Sequence, residues 1–177
     1  MFKSYNTKFK KEVVTIYSGE CYVSTSGEIL STILGSCVAV CLYDLRNGIG
    51  GMNHFMLPTR TYKTAEYGQP LKYGDYAIEH LIEQMLKLGS DFNNIKAKIF
   101  GGGKVIYHNG ESLTIGEVNI NYAKSFLNKI GIKIEKEDIG SDKGRNITFF
   151  TETSDVFVKK VHISNNIQTF ESINCAI

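Results

Sequence analysis

The chain has 177 residues, of which 42% are hydrophobic and 21% are charged, and its formal net charge is +2. This length and composition are typical of one globular domain with its own hydrophobic core, and they exclude a wholly disordered chain. The small net charge, with lysines spread along the chain, argues against nucleic-acid binding. No apolar run reaches the ~18 residues of a membrane-spanning helix, and the first residues lack the apolar core of a signal peptide. We therefore expect a cytoplasmic protein without membrane insertion, whose four cysteines are reduced thiols.

The chain is expected to contain one domain between two short terminal segments. Residues 1–12 are polar and lysine-rich, and they predict a flexible N-terminal arm. Residues 13–23 have the β-branched and aromatic content of strand pieces on either side of a glycine turn. We expect the domain itself to span residues 13–162 and a C-terminal tail to follow over residues 163–177.

A β-hairpin is the clearest feature of the first half of the chain. Residues 38–44 form a continuous apolar run that predicts a buried strand. Asn47-Gly48 then indicates a tight turn into a second strand over residues 48–58. Such a hairpin brings Cys37 and His54 beside each other, because each lies ten or fewer residues from the turn.

Apolar residues recur at helical spacing twice in the second half of the chain. The first helix is predicted to begin with Asp75 as its N-cap, after a loop over residues 59–74, and to end at Gly89. The second helix is predicted over residues 116–130. The other elements are strands over residues 96–100, 132–135, 146–150 and 156–161, with a turn over residues 138–145 and a hairpin formed by the last two strands.

Cys37 and His54 together indicate a cysteine acyl-transfer site. A neighbouring imidazole lowers the pKa of a thiol and stores its proton, which activates the sulfur as a nucleophile. Cys37 follows Gly35-Ser36, a turn that we expect to expose the sulfur and to place backbone N–H groups around an oxyanion. A catalytic histidine also needs a group that orients its ring. Spacing leaves four such groups open, namely Ser31, Thr32, Asp44 and Asn53.

Simpler roles compete with catalysis at these positions. Most free cysteines pack as small hydrophobic side chains, and a lone histidine in a strand is more often a hydrogen-bonded core residue. Cys41, between Val40 and Leu42, is predicted to be such a core residue. His108, which follows a glycine run, competes with His54 for the role of base.

Neither a metal site nor a phosphate site is predicted. Zinc needs about four ligands, whereas Cys37, Cys41 and His54 supply three without a Cys-x-x-Cys spacing. Gly101-Gly102-Gly103-Lys104 lacks the first glycine and the hydroxyl residue of a phosphate-binding loop. We expect this glycine run instead to let the backbone approach the catalytic strands or a substrate chain closely. The expected chemistry needs no cofactor.

Six sequence blocks, in the same order, resemble the CheD family, the chemoreceptor glutamine deamidases of bacterial chemotaxis. The resemblance extends over about residues 15–162. The blocks are TILGSCVAVCL (residues 32–42), GMNHFMLP (51–58), YGDYAI (73–78), AKIFGGG (97–103), IGEVN (115–119), and Asp138-Ile139-Gly140 with Gly144-Arg145.

The resemblance implies a fold, a reaction and a substrate. The fold is an α+β, single-domain α/β/β layered sandwich similar to that of toxin-type cysteine deamidases. The reaction is hydrolysis of glutamine side chains on the cytoplasmic helices of chemoreceptors through a cysteine thioester, with Cys37 as nucleophile and His54 as base. A hydroxyl residue just upstream of the cysteine is the third member, and Ser31 and Thr32 are both candidates. Backbone N–H groups of Cys37 and of the Gly35-Ser36 turn bind the oxyanion.

Two other kinds of function stay open. The resemblance implies that relatives bind a CheC-type phosphatase, so the chain is alternatively an adaptor that binds and regulates such a phosphatase, with weak or no deamidase activity. A transglutaminase or a cysteine protease uses related chemistry. The first accepts an amine in place of water, and the second cleaves the backbone and releases no ammonia.

Overall fold

The strand β5 (Val38–Asp44) lies at the centre of this computed structural model, which describes residues 1–60, 68–104 and 113–162. All seven of its residues are buried. Side chains on a strand alternate between two faces. Val38 and Val40 pack on the side of the helices, whereas Ala39 and Cys41 pack against a second sheet. A strand covered on both faces shows no polar alternation, which is why a continuous apolar run predicted it.

The first sheet has the strand order β3-β6-β5-β7-β8. The predicted hairpin is confirmed, because β5 pairs antiparallel with β6 and places Asp44 opposite Ile49. The Asp44 carboxylate accepts hydrogen bonds from the backbone N–H groups of Arg46 and Asn47 and so holds the turn. The strands beside β5 in this sheet are β3 (Glu20–Ser24), β6 (Ile49–His54), β7 (Lys96–Gly101) and β8 (Lys133–Ile139).

The second sheet has the strand order β1-β2-β4-β9-β10. The predicted final hairpin is confirmed, since β9 and β10 pair antiparallel. The turn predicted over residues 138–145 is shorter than expected, because β8 and β9 both extend into it. The strands are β1 (Phe2–Asn6), β2 (Lys11–Thr15), β4 (Ile29–Leu34), β9 (Gly144–Phe150) and β10 (Val156–Val161).

The prediction that residues 1–12 form a flexible arm is wrong. β1 pairs antiparallel with β2, with Phe2 opposite Thr15, and β2 in turn pairs parallel with β4. β1 is an edge strand whose side chains are mostly exposed. Its polar, lysine-rich composition suits such an edge and also resembles a disordered segment, but backbone hydrogen bonds, which composition does not reveal, join it to the sheet. The expected tail over residues 163–177 lies outside the described residues.

The two α-helices in the described residues are α1 (Gly74–Lys87) and α2 (Ile115–Lys129), close to their predicted positions. α2 begins with a capping box, in which the Thr114 side chain accepts from the backbone of Glu117 and the Glu117 side chain accepts in return. The prediction of Asp75 as N-cap of α1 is wrong. Tyr73 occupies the cap position without a side-chain hydrogen bond, and Asp75 lies in the first turn, where its carboxylate accepts from the Arg60 backbone at 3.2 Å.

The molecule has a layered α+β arrangement. Buried residues of both helices, such as Leu81 and Leu127, share one core with the face of the first sheet that carries Val38. A second core, which includes Leu30 and Phe149 of the second sheet, fills the space between the two sheets. The order of layers is therefore helices, first sheet and second sheet. Neither helix in the described ranges combines the length and the hydropathy needed to cross a membrane.

Candidate active site

Cys37 lies in the short turn between β4 and β5, and backbone hydrogen bonds from the glycine run over residues 101–103 hold this turn in place. Gly103 donates its backbone N–H to the carbonyl of Gly35, and Gly102 donates to the carbonyl of Cys37, both at 2.8 Å. Gly101 has φ +106°, and a Cβ there would lie 2.2 Å from the Cys37 carbonyl oxygen. Only glycine allows this approach, so the structure confirms that the glycine run closely approaches the backbone around Cys37.

Cys37 and His54 lie diagonally across neighbouring strands. Val38 and Phe55 face each other and exchange two backbone hydrogen bonds, at 3.1 and 3.0 Å. Their side chains point toward the helices, so the residues that precede them, Cys37 and His54, point toward the second sheet. Diagonal partners in an antiparallel pair are about 7–8 Å apart at Cα, within reach of a ring. The hairpin thus places the thiol and the imidazole on one face.

The thiol of Cys37 is buried, contrary to the expectation that the turn exposes it. Cys37 is 4% exposed and His54 is 3% exposed. The physical reason is that both side chains enter the layer between the sheets, where Cys37 packs in the same core as Leu34 and Phe100. A turn ahead of a strand exposes a side chain only when that face of the sheet is open, and here the second sheet covers it.

Thr32, on β4 of the second sheet, reaches the ring of His54. Its Oγ1 lies 2.9 Å from His54 Nδ1 and 2.6 Å from the carbonyl oxygen of Ile16. A carbonyl oxygen only accepts, so the single hydroxyl proton of Thr32 goes to Ile16. His54 Nδ1 must then donate to Thr32 Oγ1. In a neutral ring this arrangement leaves Nε2 unprotonated.

The imidazole of His54 is a neutral base at physiological pH. Burial lowers the pKa of His54 to about 4, and the nearby Ile16 carbonyl, which favours the protonated ring, opposes this shift only in part. Nε2 is buried and has no hydrogen-bond partner among the described residues. A neutral ring with its proton on Nδ1 has an unused lone pair on Nε2, which is the atom that can accept a proton.

Ser31 does not contact His54. It precedes Thr32 on β4 and therefore points to the opposite face of the sheet, where its Oγ donates to the carbonyl of Ile147 at 2.9 Å. The two adjacent hydroxyl residues, which spacing left equivalent, thus have different surroundings, and only Thr32 lies beside the candidate base.

The other candidates for orienting His54 are engaged elsewhere. Asn53 faces away from the ring, and its Oδ1 accepts from the backbone N–H of Val40 at 3.0 Å. Asp44 lies at the far end of β5, where it holds the hairpin turn. Cys41 is fully buried and burial raises the pKa of its thiol, which agrees with its predicted role in the core. His108 lies outside the described residues.

Asn119 of α2 is a buried polar residue at this site that the sequence analysis passed over. Its Nδ2 donates to the carbonyl of Met56 at 2.7 Å and to the carbonyl of Ser36 at 3.3 Å. The side chain is fully buried, and Oδ1 has no hydrogen-bond partner in the described part of the chain. A signal existed: Asn119 lies next to Ile120 and one turn before Ala123, on the buried face of the helix.

The described residues contain no group of three or more His, Cys, Asp or Glu side chains arranged to hold a metal ion. What the structure brings together is a thiol, an imidazole and a hydroxyl, from the turn before β5, from β6 and from β4. Together with backbone amides at the turn, this set is suited to nucleophilic attack on an acyl carbon.

Comparisons with known proteins agree with one another. The family model described as CheD chemotactic sensory transduction matches residues 56–160. The chain is 36% identical over 171 residues to the probable chemoreceptor glutamine deamidase CheD of Saccharophagus degradans, covering 94% of this chain and 78% of the relative. It is 40% identical over 166 residues to the protein of the same name from Thiobacillus denitrificans, covering 92% and 80%. It is 39% identical over 170 residues to the probable chemoreceptor glutamine deamidase CheD 1 of Dechloromonas aromatica, covering 96% and 84%.

Proposed function

The chain belongs to the CheD family, and on that premise we propose that it hydrolyses glutamine side chains of chemoreceptors to glutamate, with Cys37 as nucleophile. One observation carries the proposal: Thr32 Oγ1 lies 2.9 Å from His54 Nδ1 and donates its own proton to Ile16. We infer from it that the proton of the neutral ring is on Nδ1 and that the lone pair is on Nε2. A buried acceptor without a partner costs about 1–3 kcal/mol. A histidine with only a structural role gains nothing from that cost, whereas a base needs the lone pair.

In the first half-reaction, His54 Nε2 removes the thiol proton of Cys37 as the sulfur attacks the carbonyl carbon of the glutamine side chain. The carbonyl oxygen becomes an oxyanion, which the backbone N–H groups of Ser36 and Cys37 stabilise. Such a donor contributes roughly 3–4 kcal/mol in comparable sites. His54 then transfers the proton to the amide nitrogen, the C–N bond breaks, and ammonia leaves. The enzyme is left as a thioester.

In the second half-reaction, water takes the place of ammonia. His54 removes one proton from the water as its oxygen attacks the thioester carbon, and the second oxyanion uses the same N–H donors. The C–S bond then breaks, and the Cys37 sulfur regains its proton from His54 as the product carboxyl group leaves. Thr32 acts throughout by fixing the Nδ1 proton and the ring orientation. None of these steps calls for a metal or an organic cofactor.

The burial of the site supports a side-chain amide as the substrate. Cys37 and His54 are 4% and 3% exposed. A glutamine carboxamide stands at the end of a slender, unbranched chain and needs only a narrow entrance, whereas a scissile backbone amide needs an open cleft for the chain on both sides. This favours deamidation over proteolysis.

The substrate class follows from the family. The names of the relatives specify chemoreceptors, whose cytoplasmic helices carry the glutamines in this proposal, so we place the protein in the cytoplasm. Each deamidation adds one negative charge to a helix surface, where like charges at neighbouring turns repel. The layered order of helices and two sheets supports the similarity to toxin-type cysteine deamidases, which is part of the same proposal.

The test is mass spectrometry of receptor cytoplasmic fragments after incubation with the wild type, Cys37→Ala or Cys41→Ala. We expect a gain of about one mass unit at specific glutamines, with release of ammonia, for the wild type and Cys41→Ala but not for Cys37→Ala. Cys41→Ala is the matched control, because it removes a second buried cysteine, four residues further along the chain, from the same core between the sheets.

Each alternative has its own outcome in this experiment. Cleaved fragments without ammonia indicate a protease, and incorporation of an added amine in preference to water indicates a transglutaminase. Unmodified fragments combined with a stable complex with a CheC-type phosphatase indicate the adaptor function. Any of these results overturns the deamidase proposal.

A further inference from the structure

One side chain connects the two strands that carry the candidate nucleophile and base. Asn119 Nδ2 donates to the carbonyl of Ser36, the residue before Cys37, and to the carbonyl of Met56, two residues after His54. The amide has two protons, so it serves both acceptors at once. Because Asn119 lies on α2, the helix layer is linked directly to the ends of both strands, beyond the point where their backbone pairing ends at Val38–Phe55.

This contact sets the direction of the Cys37 N–H. The C=O of Ser36 and the N–H of Cys37 belong to one planar trans peptide unit, in which they point in opposite directions. Asn119 draws the Ser36 carbonyl toward α2. The Cys37 N–H is therefore directed away from α2, toward the second sheet, where the Cys37 side chain also lies. The sulfur and the N–H thus face the same region.

Burying the Asn119 side chain also lowers the stability of the fold. It is fully buried, and its Oδ1 has no hydrogen-bond partner among the described residues. An unsatisfied buried acceptor lowers stability. Packing alone favours an apolar residue at this position, which lies beside Ile120 on the buried face of α2.

We propose that Asn119 is a positioning residue for the reaction, which holds the Ser36–Cys37 peptide so that the Cys37 N–H binds the oxyanion. The inference rests on the proposed deamidase function and adds a residue to it. Asn119 itself does not touch the reacting atoms. It acts through the backbone of Cys37, so its contribution belongs to the transition state and not to substrate binding.

The test compares Asn119→Ala with Asn121→Ala. Asn121 lies two residues further along the same helix and is exposed, so both variants make the same chemical change on one element. For Asn119→Ala we expect kcat for deamidation of a receptor fragment to fall by about 10- to 100-fold, with KM within about twofold. For Asn121→Ala we expect both constants to match the wild type.

A second readout separates positioning from a general structural role. Alkylation of Cys37 by iodoacetamide is a displacement at carbon that forms no oxyanion, so it needs the thiol and the base but not the N–H donor. We expect its rate, measured by mass spectrometry on the peptide that contains Cys37, to change by less than about threefold in Asn119→Ala. Asn119→Leu, which fills a similar space without an amide, is expected to behave like Asn119→Ala.

Two results overturn the inference while leaving the proposed function intact. The first is an unchanged kcat in Asn119→Ala. The second is a parallel fall in the deamidation rate, the alkylation rate and the melting temperature in Asn119→Ala and Asn119→Leu. If the wild type itself does not deamidate receptor fragments, the proposed function fails first, and the inference fails with it. The wild-type measurement therefore distinguishes the two failures.

Discussion

Replacing Thr32 by valine tests how the candidate base is oriented. The substitution keeps the β-branched shape and removes the hydroxyl that accepts from His54 Nδ1 at 2.9 Å and donates to Ile16 at 2.6 Å. Two buried polar groups then lose a partner. Each group left unsatisfied costs about 1–3 kcal/mol. We expect the free energy of unfolding to fall by about 2 kcal/mol, because His54 Nδ1 can donate to the nearby Ile16 carbonyl once the hydroxyl is gone.

The effect on catalysis is expected to be larger than the effect on stability. Without the hydroxyl, the ring of His54 is free to rotate and to exchange tautomers, and a misdirected Nε2 does not take the thiol proton. Misplacement of a catalytic group by about 1 Å costs on the order of 10²-fold, so we expect kcat for deamidation to fall by about that factor. The assay is ammonia release from receptor fragments, together with urea unfolding of the same samples.

Two matched variants distinguish the role of the Thr32 hydroxyl from that of the Ser31 hydroxyl. Thr32→Ser restores the hydroxyl and is expected to recover most of the activity. Ser31→Ala removes the neighbouring hydroxyl, which points away from His54 and donates to the backbone carbonyl of Ile147, and is expected to leave kcat within about twofold of the wild type. If Ser31→Ala abolishes deamidation while Thr32→Val does not, the assignment of Thr32 is refuted and Ser31 is the third member.

Three further predictions concern the surroundings of the site. Burial holds the pKa of His54 near 4, below its unfolded value of 6.5, so the unfolded state binds more protons between these two pH values and the free energy of unfolding falls as the pH is lowered through them. Between pH 7 and pH 5 we expect urea unfolding to show a loss of about 2 kcal/mol in the wild type that is absent in His54→Gln. Equal losses in the two proteins contradict the assignment of the low pKa to His54. Gly101→Ala is expected to lower the free energy of unfolding by at least about 2 kcal/mol and to remove most of the activity, because the new Cβ meets the Cys37 carbonyl. Gly48→Ala, also at positive φ but in open space, should lower it by only about 1 kcal/mol. Similar melting temperatures for the two variants argue against the contact between Gly101 and Cys37. Thr114→Ala removes the N-cap of α2 and should lower the free energy of unfolding by about 1 kcal/mol in denaturant titrations, whereas an unchanged value means that packing alone defines that end of the helix.

Local patterns in the sequence were sufficient for the central hairpin and both helices. The apolar run over β5 and the Asn47-Gly48 turn predicted the pairing of β5 with β6, and the structure confirms it. Helical spacing located α1 and α2 to within one or two residues. These features depend on contacts between residues close in the chain, so composition and periodicity contain the information.

The sequence did not predict β1, because the order of an edge strand depends on its pairing with β2 and not on its own side chains. The N-terminus of α1 was placed wrongly for a related reason, since Asp75 makes its hydrogen bond to the distant backbone of Arg60 instead of capping the helix. In both cases a local pattern competed with a contact from another part of the chain.

For the candidate site, the sequence by itself predicted that Cys37 and His54 lie beside each other, because one tight turn joins the strand that follows Cys37 to the strand that contains His54. Only the tertiary structure decided which hydroxyl lies beside His54, since Ser31 and Thr32 point to opposite faces and Ile29 and Ile33 make the alternation of β4 ambiguous. The burial of the pair and the contact from Asn119 were likewise decided by layers that meet across long sequence separations. Burial and long-range hydrogen bonds depend on which surfaces pack together, and no local pattern in the chain specifies that.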